Sequence, residues 1–359
     1  MTSLELSQAL PRKAWRDLRH GRGSRLSLHP REHSFGQVRT EEQGAAIVNL
    51  GIQTIYFDDW DESIRLETIA EGFDIILHVG AGWHPGAARA LITGQGKRRS
   101  KTGHNVHYFH LSGTTSLSDY PHTEVWVETR TFSDEEDTYS YLKSRESTKP
   151  YKVRETDILV VGEGKSNGVQ TYIAMAPTIF GLGSSLFNQY SIQIPVMAQA
   201  ALKSGQMSAL EDGGTTWGHV HVEDLAMLFV VMLERVLEGV AIPSGQSGIY
   251  FSETGTHTHM ELAQKISKAG KELGLLKTDA IKKVHLQEAA DIWSGGVALH
   301  AELAYGSNAR TKAVLGRKLG WVPLHAAEWE TTVATEISAI IAKPPRSFEV
   351  PALMKNGES

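Results

Sequence analysis

Three hydroxyls stand close together in residues 105–115, NVHYFHLSGTT: Ser112, Thr114 and Thr115. A hydroxyl donates one proton and accepts two, so at the mouth of a crevice these groups would hydrogen-bond a substrate carbonyl. The residues ahead of them decide whether they sit there. Val106, Tyr108, Phe109 and Leu111 make a short β-branched and aromatic run that stops at Ser112-Gly113-Thr114-Thr115, which predicts a buried strand ending in a turn. In open parallel sheets, ligands bind just beyond the carboxyl ends of the strands. A Ser/Thr turn capping its own backbone is the competing reading of the same residues.

Phosphate binding would need glycines between a strand and a helix N-terminus, where backbone N–H groups can approach an anion. Gly21-Arg22-Gly23 follows no strand, and Gly162-Glu163-Gly164 leaves a helix and reads as its C-terminal turn. Residues 80–86, GAGWHPG, have the right setting, after the apolar run DIILHV and before a helix opening at Pro85. Their spacing is one residue off the dinucleotide fingerprint, and no acid ends the following strand to hold a ribose hydroxyl. His219 and His221, like His257 and His259, alternate as residues sharing one face of a strand do. Neither pair has an evident third ligand, so no metal is expected. His104, His107 and His110, at spacing three, fall on mixed faces and are expected to pair with backbone or solvent. Trp217 and Trp321 read as packing residues. Arg310 has the planar fork that matches carboxylate or phosphate; a surface arginine is the even alternative.

The elements that must position these groups alternate. Short helices are expected over 41–49 and 63–71, strands over 53–57 and 74–79, and a helix from Pro85. Further on, 156–161 reads as a helix, 169–175 as a strand, 193–203 as a helix, 220–222 as a strand, and 225–237 as an apolar helix capped by Asp224. Residues 248–252 read as strand and 259–273 as an amphipathic helix, with mainly helical chain beyond. Strand and helix at this spacing imply a parallel α/β sheet. Residues 133–137 are acidic and predict a surface excursion, and 21–36 read as loop.

The totals narrow the class. The 359 residues suffice for a sizeable core and two subdomains. With 36 basic and 41 acidic residues, the formal charge of −5 argues against nucleic-acid binding. No cysteine is present, which excludes disulfides, thiolate catalysis and cysteine-ligated zinc. Neither a membrane span nor a secretory signal is evident, so a cytoplasmic protein without a membrane partner is the expectation. Residues 1–36 form an atypical basic leader, with Arg12, Lys13, Arg16, Arg19, Arg22, Arg25 and Arg31. Glu5, Asp17 and Glu32 argue against a transit peptide.

In order along the chain come Asp58-Asp59-Trp60-Asp61, DIILHVGAG, HLSGTT, MAPTIFGLG, WGHVHVEDLA and YGSNARTKAVLGRKLGW. This series, over residues 37–340, resembles the extended short-chain dehydrogenase/reductase superfamily in its NAD-dependent epimerase/dehydratase branch. The resemblance implies a doubly wound parallel, Rossmann-like sheet with a smaller, mainly helical C-terminal subdomain. It implies NADP or NAD as cofactor, with Asp58 and Asp59 beside the adenine and Gly80, Ala81 and Gly82 along the ribose and diphosphate. Ser112 or Thr114 would sit near the nicotinamide, flanked by Pro177 and Thr178, and His219, His221 and Arg310 would face the substrate.

Two departures accompany it. The family's opening strand, GxxGxxG turn and helix should occupy about residues 1–36, and nothing there matches. The family's reductases also use Tyr-x-x-x-Lys, whose ammonium lowers the phenol's pKa from about 10 so that it can pass a proton to a carbonyl oxygen. Tyr139 and Lys143 match the spacing but lie about ten residues early. Tyr151 is nearer the expected place, with Glu155 where the lysine should be.

The resulting expectation is a cofactor domain from 37–183 and 215–256, with a substrate subdomain from 184–214 and 257–359. The protein would be an NAD(P)-dependent oxidoreductase or epimerase/dehydratase acting on a small oxygenated metabolite, with a homodimer as one arrangement open to it. A non-catalytic nucleotide-binding regulator, or a degenerate relative that binds no cofactor, is the alternative.

Overall fold

The computed structural model describes residues 34–124, 126–345 and 351; most of the basic leader, including Gly21-Arg22-Gly23, lies outside them. The described chain runs β1 (Phe35–Val38), α1 (Glu41–Val48), β2 (Gln53–Tyr56), α2 (Ser63–Ala70), β3 (Ile75–His78), α3 (Pro85–Thr102) and β4 (His107–Gly113). It continues with β5 (Phe132–Ser133), α4 (Thr138–Thr148), α5 (Lys152–Asn167), β6 (Gln170–Ala176), β7 (Thr178–Phe180), α6 (Gln193–Ser204), β8 (Met207–Leu210), β9 (Thr216–His221) and α7 (Val222–Leu237). The remainder is β10 (Ile249–Phe251), β11 (Gly255–Thr258), α8 (His259–Glu272), β12 (Ile281–Val284), α9 (Leu286–Trp293), α10 (Ala298–Tyr305), β13 (Thr311–Lys312), α11 (Leu315–Leu319) and α12 (Thr332–Ala342).

The central sheet is parallel, in the order β10-β6-β4-β3. Strands β4, β6 and β10 are largely buried on both faces, as β-branched and aromatic residues in a covered parallel sheet should be. Strand β3, at the edge of the sheet, is mostly half-buried. The α3 and α5 crossovers pack against each other. β1 and β2 form a separate parallel pair, and among the described residues no strand bridges it to the outer edge of β3. β11-β9-β7 make a second, mixed sheet, and β8 pairs with β12 and β5 with β13. One core lies about the central sheet and draws in Ala313 and Trp321 from far along the chain. Another joins Phe180 to Ile194, Leu262, Trp293, Trp329 and Ile337. No helix among the described residues is long and apolar enough to cross a membrane.

Several expectations are corrected. Phe35–Val38 is a strand rather than loop. Gly162-Glu163-Gly164 is no helix end: α5 continues to Asn167 and stops at Gly168, whose φ is +68°. The glycine at 164 serves close packing instead, since a Cβ there would lie 2.4 Å from the Thr171 side chain. The stretch around Tyr139 is helical, because Asp137 accepts a hydrogen bond from the Ser140 N–H at 3.0 Å and caps it. Asp224 lies inside the first turn of α7, whose cap is His221. The Asp224 carboxylate accepts from the backbone N–H groups of Leu324 (2.8 Å) and His325 (3.0 Å), tying a distant loop to this helix.

Candidate functional site

Neighbouring strands in parallel register put paired residues on the same face. Tyr108, His110 and Ser112 of β4 therefore share a face with His78 of β3, which is paired with His110. Helix α5 places Asp157 against this face. Ser112 Oγ donates to Asp157 Oδ2 at 2.9 Å, and Ser116 Oγ donates to the same oxygen at 2.6 Å. Asp157 Oδ1 makes no hydrogen bond and lies 3.9 Å from His110 Nε2, with both side chains fully buried. Burial is the dominant influence here: it pushes Asp157 up to about 7 against the pull of the two serines, and His110 down to about 4. On the far side of His110, the His78 ring lies 5.3 Å away and its Nδ1 is 2.5 Å from Tyr108 Oη. His78 is held well below its ordinary value, again by burial first.

Tyr151 opens α5 beside this cluster. It packs with Tyr120, Val153 and Leu303, and Trp83, Trp126 and Leu299 line the same patch. Burial pushes its phenol up to about 12, and the hydrogen bond with Thr115 pulls it back only in part. Glu155 pairs with Lys152 at 2.8 Å, so no lysine one turn on lowers that phenol. The buried Arg154 instead donates through Nε to the Ser116 carbonyl at 2.8 Å and through Nη1 to the Lys149 carbonyl at 2.8 Å.

The other sequence-selected residues fall as follows. Gly80, Ala81 and Gly82 follow β3 directly, Ala81 at φ +52°. The loop is pressed onto β4, since a Cβ on Gly82 would lie 2.6 Å from the Leu111 carbonyl oxygen. Asp58 and Asp59 are exposed beyond β2, where Asp59 accepts from the Asp61 N–H at 2.8 Å. Pro177 and Thr178 follow β6, the neighbour of β4. The hydroxyls of Thr114 and Thr178 are both buried without a hydrogen-bond partner. Ser112, by contrast, has its proton committed to Asp157, which leaves Thr114 as the donor with a free proton.

Tyr139 and Lys143 stand apart from this group. Their helix, α4, packs against α5 and against residues 245–247, the turn leading into β10. Lys143 is exposed, with its ammonium 5.7 Å above the Tyr139 ring. Arg310 is engaged by the fold: Nη1 donates to the Glu128 carbonyl at 2.8 Å and Nη2 to Asn308 Oδ1 at 2.7 Å. His219 and His221 lie on the second sheet in a packed aromatic face. His219 stacks on Trp329 at 4.0 Å between ring centroids, with its Nδ1 3.3 Å from His257 Nδ1. Burial carries His219 down to about 4.

His221, His325 and Glu328 approach metal-binding range. His221 Nδ1, however, accepts the Glu223 N–H at 3.2 Å, which leaves the ring proton on Nε2, the nitrogen that would have to ligate. The His221 and His325 rings also stack at 4.6 Å and 22°, so their lone pairs do not converge.

Residue types and spacing do not single out Asp157 or Arg154, and they assign His110 to backbone or solvent. The structure adds to this: His110 meets the Gly82 backbone and is buried opposite a carboxylate as well. Asp157 carries a usable signal, an acid directly ahead of the apolar run Ile158-Leu159-Val160-Val161, where a buried carboxyl needs partners.

No family model matches the chain. An Acremonium sp protein named Oxidase ucsJ is 25% identical over 275 residues, covering 74% of this chain and 77% of its own. Among solved structures, the Streptomyces venezuelae dTDP-glucose 4,6-dehydratase DesIV, crystallised with NAD and TYD, superposes with a TM-score of 0.58 at 14% identity. The match covers 92% of this chain and 93% of that one. A UDP-N-acetylglucosamine 4-epimerase from Methanobrevibacter ruminantium M1 gives 0.51 at 13% identity, covering 82% and 84%. The α/β chain with its central parallel sheet thus has the Rossmann-like fold of these solved dehydratase and epimerase structures.

Proposed function

We propose that this protein is an NAD(P)-dependent oxidoreductase that reduces a carbonyl of a small oxygenated metabolite. The observation that carries this is Tyr151, a buried phenol beside Thr115 at the carboxyl end of the strand that ends in Ser112 and Thr114. NAD in DesIV supports the cofactor, and the name of the Acremonium relative supports redox chemistry.

The residues present suit the nicotinamide end of such a cofactor. Thr114 and Thr178 offer buried, unpartnered hydroxyls at the ends of adjacent strands, and Gly80 to Gly82 would run beneath the ribose and diphosphate. Bound there, the cofactor would supply a hydride. Tyr151 and Thr114 would hydrogen-bond the substrate oxygen, and Tyr151 would give up its proton as negative charge builds on that oxygen. A phenol held near 12 is protonated at neutral pH, as a donor must be, but is a weaker acid than an unperturbed tyrosine.

The test is titration with NADH and NADPH, followed by fluorescence and thermal shift. Micromolar binding supports the proposal, and no binding at millimolar cofactor rejects it. A non-catalytic nucleotide-binding regulator is the second reading, favoured by Glu155 in the lysine position. Cofactor binding without turnover of any carbonyl in a broad panel would select it.

A further inference from the structure

Six cations crowd α4 and the chain on either side of it: Arg130, Lys143, Arg145, Lys149, Lys152 and Arg154, of which Lys143 is exposed to solvent. Four have a carboxylate partner: Arg130 with Glu128 (3.1 Å), Lys149 with Glu124 (2.7 Å), Lys152 with Glu155 (2.8 Å) and Arg154 with Glu146 (3.6 Å). Arg145 has none among the described residues. Its Nε and Nη2 are shielded from solvent and make no hydrogen bond. Those two nitrogens form one edge of the guanidinium, an edge that takes a carboxylate in two parallel hydrogen bonds. The guanidinium carbon lies 3.8 Å from the Trp126 ring centroid and 5.4 Å from that of Tyr120. Stacking of this kind fixes the plane of an arginine without using the hydrogen-bonding capacity of its edge.

Position gives this unpaired edge a meaning. Tyr120 belongs to the same buried cluster as Tyr151, and Trp83, Trp126 and Leu299 pack against that cluster. Arg145 is half-buried, and shielded N–H groups without an acceptor are unfavourable unless something else provides one. We infer that Arg145 is an anion subsite for the substrate, taking a carboxylate on its Nε/Nη2 edge while Trp126, Tyr120 and Leu299 cover an apolar body. The substrate class becomes an apolar oxo acid, a narrowing that rests on the reading of Tyr151 as the proton donor. Lys149 also lies over Tyr120, at 5.3 Å, but Glu124 neutralises it. Lys143, over Tyr139, has no carboxylate partner among the described residues but is exposed to water, whereas Arg145 combines stacking with a shielded, unpaired edge.

Calorimetric titration tests this with phenylpyruvate and its methyl ester as probes, on the full chain and on Arg145→Gln and Arg145→Lys, each with and without saturating NADPH. The expected result is binding of the acid by the wild type, and binding at least about tenfold weaker for the ester and for Arg145→Gln. Arg145→Lys, which keeps the charge and loses the fork, should fall between. Equal affinity for acid and ester, unchanged affinity in Arg145→Gln, or no binding of the acid in either condition overturns the inference. NADPH titration of the same samples separates the two proposals. Cofactor binding that survives Arg145→Gln shows that the variant folds, whereas cofactor binding absent from the wild type fails the oxidoreductase reading and leaves the carboxylate result to be judged by itself.

Discussion

Two helices in this chain each carry half of a tyrosine–lysine catalytic pair. On α4, Tyr139 and Lys143 have the one-turn spacing, but the helix packs by residues 245–247, ahead of β10. On α5, Tyr151 has the address beside Thr115, but Glu155 replaces the cation. Spacing along a helix only says which side chains share a face. Which end of the sheet that face meets is set by the crossover connections, and in a parallel sheet the chemistry belongs to the carboxyl end. A motif without the address leaves a tyrosine packed in the core and a lysine in solvent; an address without the motif keeps part of the chemistry and loses the rest.

The largest effect should separate the two tyrosines. Tyr151→Phe should lower NAD(P)H-dependent carbonyl reduction by about 100-fold or more, as expected for loss of a positioned proton donor. Tyr139→Phe should leave kcat/KM within about twofold. The reverse ranking in steady-state assays would move the site to α4.

Restoring the missing cation is the next step in size. Glu155→Lys should draw the Tyr151 phenol down from about 12, because an ammonium one turn away favours the phenolate. The phenol could then act as a base. Lowering its pKa by about one raises the phenolate fraction about tenfold, and alcohol oxidation at mildly alkaline pH should rise in proportion. A pH–rate profile in both directions reads this. No change in the oxidation limb would mean that position 155 does not face the phenol.

Much of this arrangement is legible in residue order. Periodicity locates the strand of residues 107–113 and the run DIILHV, because strands covered on both faces are continuously apolar. Short strands such as β7, β8, β11 and β12 are not legible, since three or four residues carry too little alternation and their pairing partners are remote in sequence. Glycine has two meanings, and at Gly162 to Gly164 they conflict, because close packing on Thr171 and a helix stop demand the same residue. His110 escapes a reading by spacing, which judges positions across the strand alone and omits the helix that brings Asp157 over one face. Arg310 shows the limit from the other side: its chemistry suits an anion, and the fold commits it to Glu128 and Asn308.

A smaller effect concerns Asp157, for which the Tyr139 and Lys143 pair has no counterpart. The fold retains the Asp157 proton up to about 7, whereas an unfolded aspartate releases it near about 3.9. Between those values the unfolded chain binds fewer protons, so this group makes stability fall as pH rises from about 4 to about 7 and adds no further slope above. Asp157→Asn cannot ionise and should flatten that component. Urea denaturation across this pH range, comparing wild type and variant, should show the difference; parallel curves would mean that Asp157 is ionised in the fold.

The smallest expected effect is at Lys143, and it bears on the comparison by being small. Its ammonium is exposed and 5.7 Å above the Tyr139 ring, a contact worth about 0.5–1 kcal/mol at most in such a setting. Alanine is the better helix former, which offsets part of that loss. Lys143→Ala should therefore change stability by no more than about 0.5 kcal/mol in chemical denaturation and leave the reduction rate where it was. A rate loss comparable to that of Tyr151→Phe would require the ammonium to reach a reacting proton, and α4 would then have to leave the turn at 245–247.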